Sequence, residues 1–542
     1  MTGMEVARAT IHRRWPEWLP SMCRPGRSRV LAGLVLLAIV RTIYLMFCPL
    51  ELIPDEAYYW DWSRQLDWSY YSKPPMIAWL IACATSCGGN SEFSIRFPAT
   101  LLGTLGLWSV YELGRQIYNH QAGTLALLIV AASPGMTALC LLMTIDAPFL
   151  MAWTVSVYCV WRVFGADTLN MRWLPPAILA TGLGLLTKQT ALGLFPLAML
   201  FLATDSADRH KLKSAAFALW VGCSLAFLAP VLWWNFSHDW ITISHTRSHF
   251  GAAPMPVGRR LTFFVEFVCS QFGVLSPVVC GLLIVVTVAA IRQFRRLQRR
   301  ERFLLCFGGI PLVAVTVLSL FQRVQPNWPV ALHLTGIILL AAWASGQFAV
   351  SERVDTYRRW LSPGIKIGAA MSAVVALVPF CIPASPLSGT KLDPTGRLRG
   401  WRELGAEVGR TLESLPDASN LLIVAATSRA PVSELAYYLP GRPRVYRWNS
   451  GDVVDSQHDV WGGPNDSYGR DALIVTDGKA PVPARLAGAF DRLDELNPIT
   501  IPIGASRRLE FRVWHGRFVS PWPGRVAAVS QATPIEPQKL LR

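Results

Sequence analysis

Apolar stretches long enough to cross a bilayer recur through the first 383 residues, near 30–50, 94–117, 121–141, 146–164, 174–187, 189–204, 214–234, 261–290, 303–321, 327–348 and 361–383. A chain that must bury so many such windows has few options, and roughly eleven spans predict a polytopic helical membrane protein. The composition agrees: of 542 residues 52% are hydrophobic and only 16% charged, with 22 tryptophans. The net charge of +16 would suit a nucleic-acid binder. Its distribution excludes that class, because the basic residues sit in short loops between apolar windows rather than on one soluble module.

Those loops fall into two sets. One holds Arg13, Arg14, Arg115, Arg172, Lys211, Lys213, Arg292, Arg295, Arg296, Arg299, Arg300, Arg302, Arg358 and Arg359; the other holds only a few cations, among them Arg64, Lys73, Lys188 and Arg323. The positive-inside rule turns the first set to the cytoplasm and the second outward. Residues 1–29 then form a basic cytoplasmic N-terminus followed by a retained anchor, 30–383 a membrane domain with an outer loop at 51–93, and 384–542 an outer domain. All eleven cysteines lie at or before Cys381, most within apolar runs, so no disulfide framework is implied. The tail alternates helical and strand patterns. WRELGAEVGRTLESL, VSELAYYL and PARLAGAFDRLDEL read as helices, while NLLIVAAT, DALIVTD and LEFRVWHGRFV read as strands, predicting a small α/β domain outside the membrane.

Asp55 and Glu56 stand at the mouth of the first window, where a pair of carboxylates is costly beside lipid and chemistry explains them better than packing. An ordinary acidic first turn of a helix is the plain alternative. Around them Tyr58, Tyr59, Trp60, Trp62, Trp68, Tyr70 and Tyr71 make a band suited to a membrane interface or to stacking on sugar rings. Lys73 follows, and Asp146, Lys188, Arg323, Asn327 and Trp328 fall on the same outer face. A lysine beside lipid calls for an anion, such as a lipid phosphate, or else snorkels to water. Asp146 doubles as a helix-start acid, and Trp328 as an interfacial anchor. His245 and His249 are four apart, and on a helix they would share a face able to hold a divalent metal. No P-loop, dinucleotide fingerprint or zinc-protease motif is present.

The segment DEAYYWDWSRQLDWSYYSKPPMIAWL resembles the first outer loop of the polyprenyl-phosphate-sugar glycosyltransferases with the C-type membrane fold, relatives of the protein O-mannosyltransferases and the lipid A aminoarabinose transferases. The likeness continues at MTIDAP (143–148), GLGLLTKQTA (182–191), SQFGVLSPV (270–278), QPNWPV (325–330), DPTGRLRGWRELGAEV (393–408) and SELAYYLPG (433–441). It implies a glycosyltransferase that moves a sugar from a polyprenyl phosphate to a lipid, glycan or protein acceptor at the periplasmic face of a bacterial inner membrane. Asp55 takes the base role, with Glu56 and Asp146 as further catalytic acids. Lys73, Lys188 and Arg323 meet the donor phosphate, and Tyr58, Tyr59, Asn327 and Trp328 touch sugar or acceptor. Ser72 stands where some relatives carry an acid before the lysine, which weakens any metal carried over from it. In the tail Arg402, Glu434 and Tyr437 fit the pattern and read as packing. A lipid-linked-sugar transporter or flippase is the alternative. It would place ionisable groups at mid-span and show two matching halves, and the sequence has neither feature.

Overall fold

The computed structural model describes residues 26–248, 256–449, 451, 453–478, 480–504 and 506–523. The chain is a polytopic helical membrane protein carrying a C-terminal sheet. Five described helices are long and apolar enough to cross a membrane: Arg27–Phe47, Asp146–Phe164, Ala215–Ser237, Arg299–Leu318 and Glu352–Cys381. The predicted window 261–290 is not one straight helix. Val257–Leu275 and Pro277–Arg292 meet at 111°, at a corner where Ser276 takes φ 90° ahead of Pro277. The window 121–141 also breaks, into His120–Ala131 and Pro134–Leu139, because Pro134 has no amide to continue the ladder.

Basic loops far apart in the chain meet one another at one end of the bundle. At the basic end Arg299 pairs with Asp208 at 2.8 Å and Asp167 at 2.7 Å, and Arg27 with Glu112 at 3.0 Å. At the other end lies a short helix, Pro54–Ser63, which carries both acids in its first turn. Pro54 suits that first position, and Glu56 reaches back to accept the Ile53 N–H at 3.1 Å.

Glu56 departs from the catalytic role expected of it. Its side chain is 0% exposed, held by Arg96 Nη2 at 2.7 Å and by the Met143 N–H at 2.8 Å. Arg96 in turn donates to the Leu50 and Glu51 carbonyls, each at 2.7 Å. One buried ion pair therefore ties the acidic helix to the Glu92–Ile117 helix and to the turn that precedes Asp146.

In the tail the sheet order is β2 (Val445–Arg447), β1 (Leu422–Ala426), β3 (Asp471–Asp477), β6 (Arg508–Phe518), β4 (Phe490–Glu495), with β5 (Ile499–Pro502) also on β6. The helices Trp401–Glu413 and Arg429–Tyr438 and three of the strands follow the sequence reading. The stretch PARLAGAFDRLDEL does not: only Ala484–Ala487 is helical, and Phe490–Glu495 pairs antiparallel with β6. Its charges spaced like a helix surface are the exposed residues of an outer strand whose Phe490 is buried. The tail docks through polar contacts. Glu51 accepts the Trp401 N–H at 2.7 Å, capping the Trp401–Glu413 helix from afar. Glu92 accepts from Arg402 at 2.7 Å and from the Tyr438 hydroxyl at 2.6 Å.

Removing Glu56 leaves a guanidinium buried without its counter-charge. Glu56→Ala is expected to destabilise the protein by about 3–5 kcal/mol. Thermal unfolding of detergent-purified protein checks this, and an unchanged melting temperature contradicts the structural role.

Candidate active site

Three hydrogen bonds bring the outer loops and the tail together. Met76 N donates to the Leu186 carbonyl at 3.1 Å, which puts the Lys73 loop beside the turn carrying Lys188. Thr242 Oγ1 donates to the Tyr70 carbonyl at 2.9 Å, and Gln457 Oε1 accepts the Tyr71 N–H at 2.6 Å. Gln271, from SQFGVLSPV, donates to the Pro326 carbonyl at 3.3 Å and supports the turn that carries Asn327.

On this frame four of the predicted residues converge. Asp146, 4% exposed, accepts from Lys188 Nζ at 2.9 Å and from Asn327 Nδ2 at 2.6 Å. Asp146 also opens the Asp146–Phe164 helix, so the helix start and the buried ion pair use the same side chain. Lys188 Nζ lies 5.2 Å from the centre of the Phe149 ring. Beside it Lys73 makes no ion pair with any described residue. Burial depresses the Lys73 ammonium to about 8, the neighbouring Lys188 charge adds to this, and Asp146 and Asp55 oppose it.

Both lysines line a cavity of about 360 Å³ whose other walls include Phe149, Trp153, Pro196, Val315, Trp328 and Leu332. An apolar chamber with two cations at one end admits a long apolar molecule bearing an anionic head. Trp328 belongs to this wall as expected. Arg323 does not: it faces Glu266 at 3.7 Å and is absent from the cavity lining.

Asp55, half exposed, is met by a residue that sequence reasoning passed over. Arg429 Nη2, from the tail helix Arg429–Tyr438, donates to Asp55 Oδ1 at 2.8 Å. No local pattern marks Arg429, since its partner lies 374 positions earlier. Tyr59 is buried, and its phenol is pushed well up by burial and then by the Asp55 charge.

Tyr58 is also buried. Its hydroxyl accepts the Gln457 N–H and its ring lies 4.8 Å beneath the Arg429 guanidinium, so it supports the site and is closed to a sugar. The expected aromatic band is largely an internal core: Trp62 stacks on Tyr70 at 4.4 Å, Trp60 meets Tyr437 edge-on at 4.9 Å, and only Trp68 is well exposed. Beneath it Asp61 is pushed up to about 6 by burial, and His458, 3.5 Å away, down to about 3 for the same reason. Glu434 is fully buried without a hydrogen bond to any described residue, and burial holds its carboxyl well above the usual range.

Of the proposed metal pair, His249 lies outside the described residues. His245 Nδ1 sits 3.1 Å from the Tyr71 hydroxyl, and the described residues contain no cluster of three His, Cys, Asp or Glu suited to a metal.

The family model described as dolichyl-phosphate-mannose-protein mannosyltransferase matches residues 72–234, the stretch that contains Lys73, Asp146 and Lys188. Over 444 residues the chain is 26% identical to the lipid A galacturonosyltransferase RgtD of Rhizobium johnstonii, covering 81% of this chain and 88% of that protein. The undecaprenyl phosphate-alpha-4-amino-4-deoxy-L-arabinose arabinosyl transferase of Pseudomonas aeruginosa is 27% identical over 159 residues, 27% of this chain and 29% of that one. Among solved structures, ArnT from Cupriavidus metallidurans superposes with a TM-score of 0.60 in the apo state, at 16% identity over 90% of this chain and 97% of ArnT. The form bound to undecaprenyl phosphate gives 0.58, at 16% identity over 89% and 97%. The resemblance drawn from the motifs is thus borne out. The chain has the C-type fold and is a glycosyltransferase.

The Lys73 value can be read directly. Its amine is expected to reach half-maximal reactivity towards an acylating reagent near pH 8, against about 10.4 for an ordinary lysine. Peptide mass spectrometry across a pH series measures this, and a midpoint at the ordinary value contradicts the buried setting.

Proposed function

We propose that this chain moves a sugar from a polyprenyl-phosphate donor to a lipid acceptor of the lipid A kind, at the periplasmic face of a bacterial inner membrane. The observation that carries the reading is the apolar cavity of about 360 Å³ whose rim holds Lys73 and Lys188. The polyprenyl chain takes the apolar part, and its phosphate meets Lys73, the lysine with no carboxylate on it, with Lys188 alongside. RgtD, similar over most of both chains, supports a lipid acceptor.

In this reading Asp55 accepts the proton of the acceptor hydroxyl as its oxygen attacks the anomeric carbon. The carbon–oxygen bond to phosphate breaks, and the leaving phosphate keeps the electron pair beside the two ammonium groups. Asp146 holds Lys188 and Asn327 in place, and Tyr59, expected to touch sugar or acceptor, is buried beside Asp55 and backs that carboxylate instead. Roughly eleven spans, a basic end in the cytoplasm and a tail from about residue 384 in the periplasm complete the topology. The flippase alternative is not favoured, since the charged groups gather at span ends and the fold is that of glycosyltransferases.

Asp55→Asn, nearly isosteric but unable to take the proton, is expected to lower the initial rate about 10²–10⁴-fold with melting temperature unchanged. Near wild-type turnover removes Asp55 from the chemistry. Lys73→Ala and Lys188→Ala should each weaken undecaprenyl phosphate binding by roughly 10- to 150-fold, and Lys213→Ala should not. Lys188→Ala binding as tightly as wild type in nanodiscs would reassign that lysine to snorkelling. For topology, impermeant thiol labelling of engineered cysteines should reach positions near 240 and 325 from outside and position 297 only from inside. Outside labelling of 297 inverts the arrangement.

A further inference from the structure

The Arg429–Asp55 contact poses a chemical problem for the reading above. Arg429 Nη2 occupies Asp55 Oδ1 at 2.8 Å, so that oxygen already has a donor when an acceptor hydroxyl approaches. If Asp55 is the base, an anion that draws the guanidinium away frees both carboxylate oxygens for the incoming hydroxyl.

Arg429 is built to receive an anion. Its backbone is fixed, since Ser433 Oγ donates to the Arg429 carbonyl at 2.9 Å and lies 3.0 Å from His458 Nε2. Its guanidinium rests on the buried Tyr58 ring at 4.8 Å, and that ring is held in turn by the Gln457 N–H. Only Nη2 is used by a described residue, on Asp55, so the rest of the planar fork has no hydrogen-bond acceptor among them. The side chain is 42% exposed. A fork of this kind matches a carboxylate or a phosphate in two parallel hydrogen bonds.

The donor's own phosphate has other partners. It is assigned to Lys73 and Lys188 at the cavity, and Arg429 is not among the cavity's lining residues. Among the described residues the other charged or ionisable groups around Arg429 are Asp55, Tyr58, Tyr59, Tyr71, Lys73, Asp455 and His458, and Asp455 is engaged by Arg447. Among the described residues the one other acid near the guanidinium, Asp455, already has Arg447 as its partner, which leaves that place to the substrate.

We propose that Arg429, supplied by the C-terminal domain, binds a second anionic group of the substrates, either a carboxylate on the transferred sugar or a phosphate on the acceptor lipid, and in doing so releases Asp55 to act as base. The proposal rests on the glycosyltransferase reading given above. It assigns the tail a direct part in choosing substrates.

Two substrate pairs test it on the full-length protein. The donors are undecaprenyl phosphate carrying a hexuronic acid or the matching neutral hexose. The acceptors are a diglucosamine lipid with and without its phosphates. Wild type should favour the charged member of at least one pair, and which pair identifies the source of the anion. Arg429→Gln should lose roughly 10- to 150-fold in kcat/KM on that charged member, most of it in KM, and much less on the neutral one. Arg429→Lys should recover part of the loss, keeping the charge without the fork. Where turnover of a neutral member is too slow, its competition binding replaces the rate. An equal loss on charged and neutral members would make Arg429 a packing residue, and no loss on either would also overturn the assignment. Wild-type binding of plain undecaprenyl phosphate is measured alongside. Its absence contradicts the donor reading, whereas binding without any charge discrimination contradicts the role of Arg429 alone.

Discussion

The site depends on one buried ion pair. Arg96 donates short hydrogen bonds to Glu56 out of contact with water, and between them they bind the Ile53 and Met143 amides and the Leu50 and Glu51 carbonyls. An unpaired charge at either position would be costly, so the pair fixes its surroundings more firmly than apolar packing would. What it fixes matters: the first turn that carries Asp55 and the turn that leads into Asp146. Two acids 91 positions apart in the chain are thereby set at one end of the bundle.

From that anchor the division of labour follows. Asp146 spends its charge on Lys188 and Asn327, which leaves Lys73 as the cation without a carboxylate of its own. A buried lysine that burial pushes toward neutrality gains most from an incoming anion. The membrane domain thus offers a positive rim above an apolar chamber, and the tail closes the opposite side with Arg429 on Asp55. The tail is held there by Glu51, Glu92 and Tyr58, residues of the outer loop itself.

Much of this was legible in the chain. Apolar windows reported a polytopic helical membrane protein, because that signal is local in sequence. Asp55, Lys73, Asp146, Lys188 and Asn327 could be picked out because charge or amide beside an apolar window is conspicuous. The failures are failures of range. Arg429 lies in SRAPVSEL, an unremarkable helix start, and its meaning comes only from a partner in the first outer loop. Arg323 looked like its fellow cations, yet Glu266 takes it elsewhere. Tyr58 and Trp62 carry the composition of an interface and are used as a core, since the tail covers them. The strand Phe490–Glu495 was hidden by charges that suit a helix surface until β6 fixes its pairing.

The most direct test of the central claim is a structure of the protein with undecaprenyl phosphate in nanodiscs. The account predicts the phosphate within hydrogen-bond distance of Lys73 Nζ, with Lys188 alongside and still on Asp146, and the prenyl chain running between Phe149, Trp153 and Leu332. A phosphate seated away from both lysines, with the cavity filled by ordinary lipid, would contradict it.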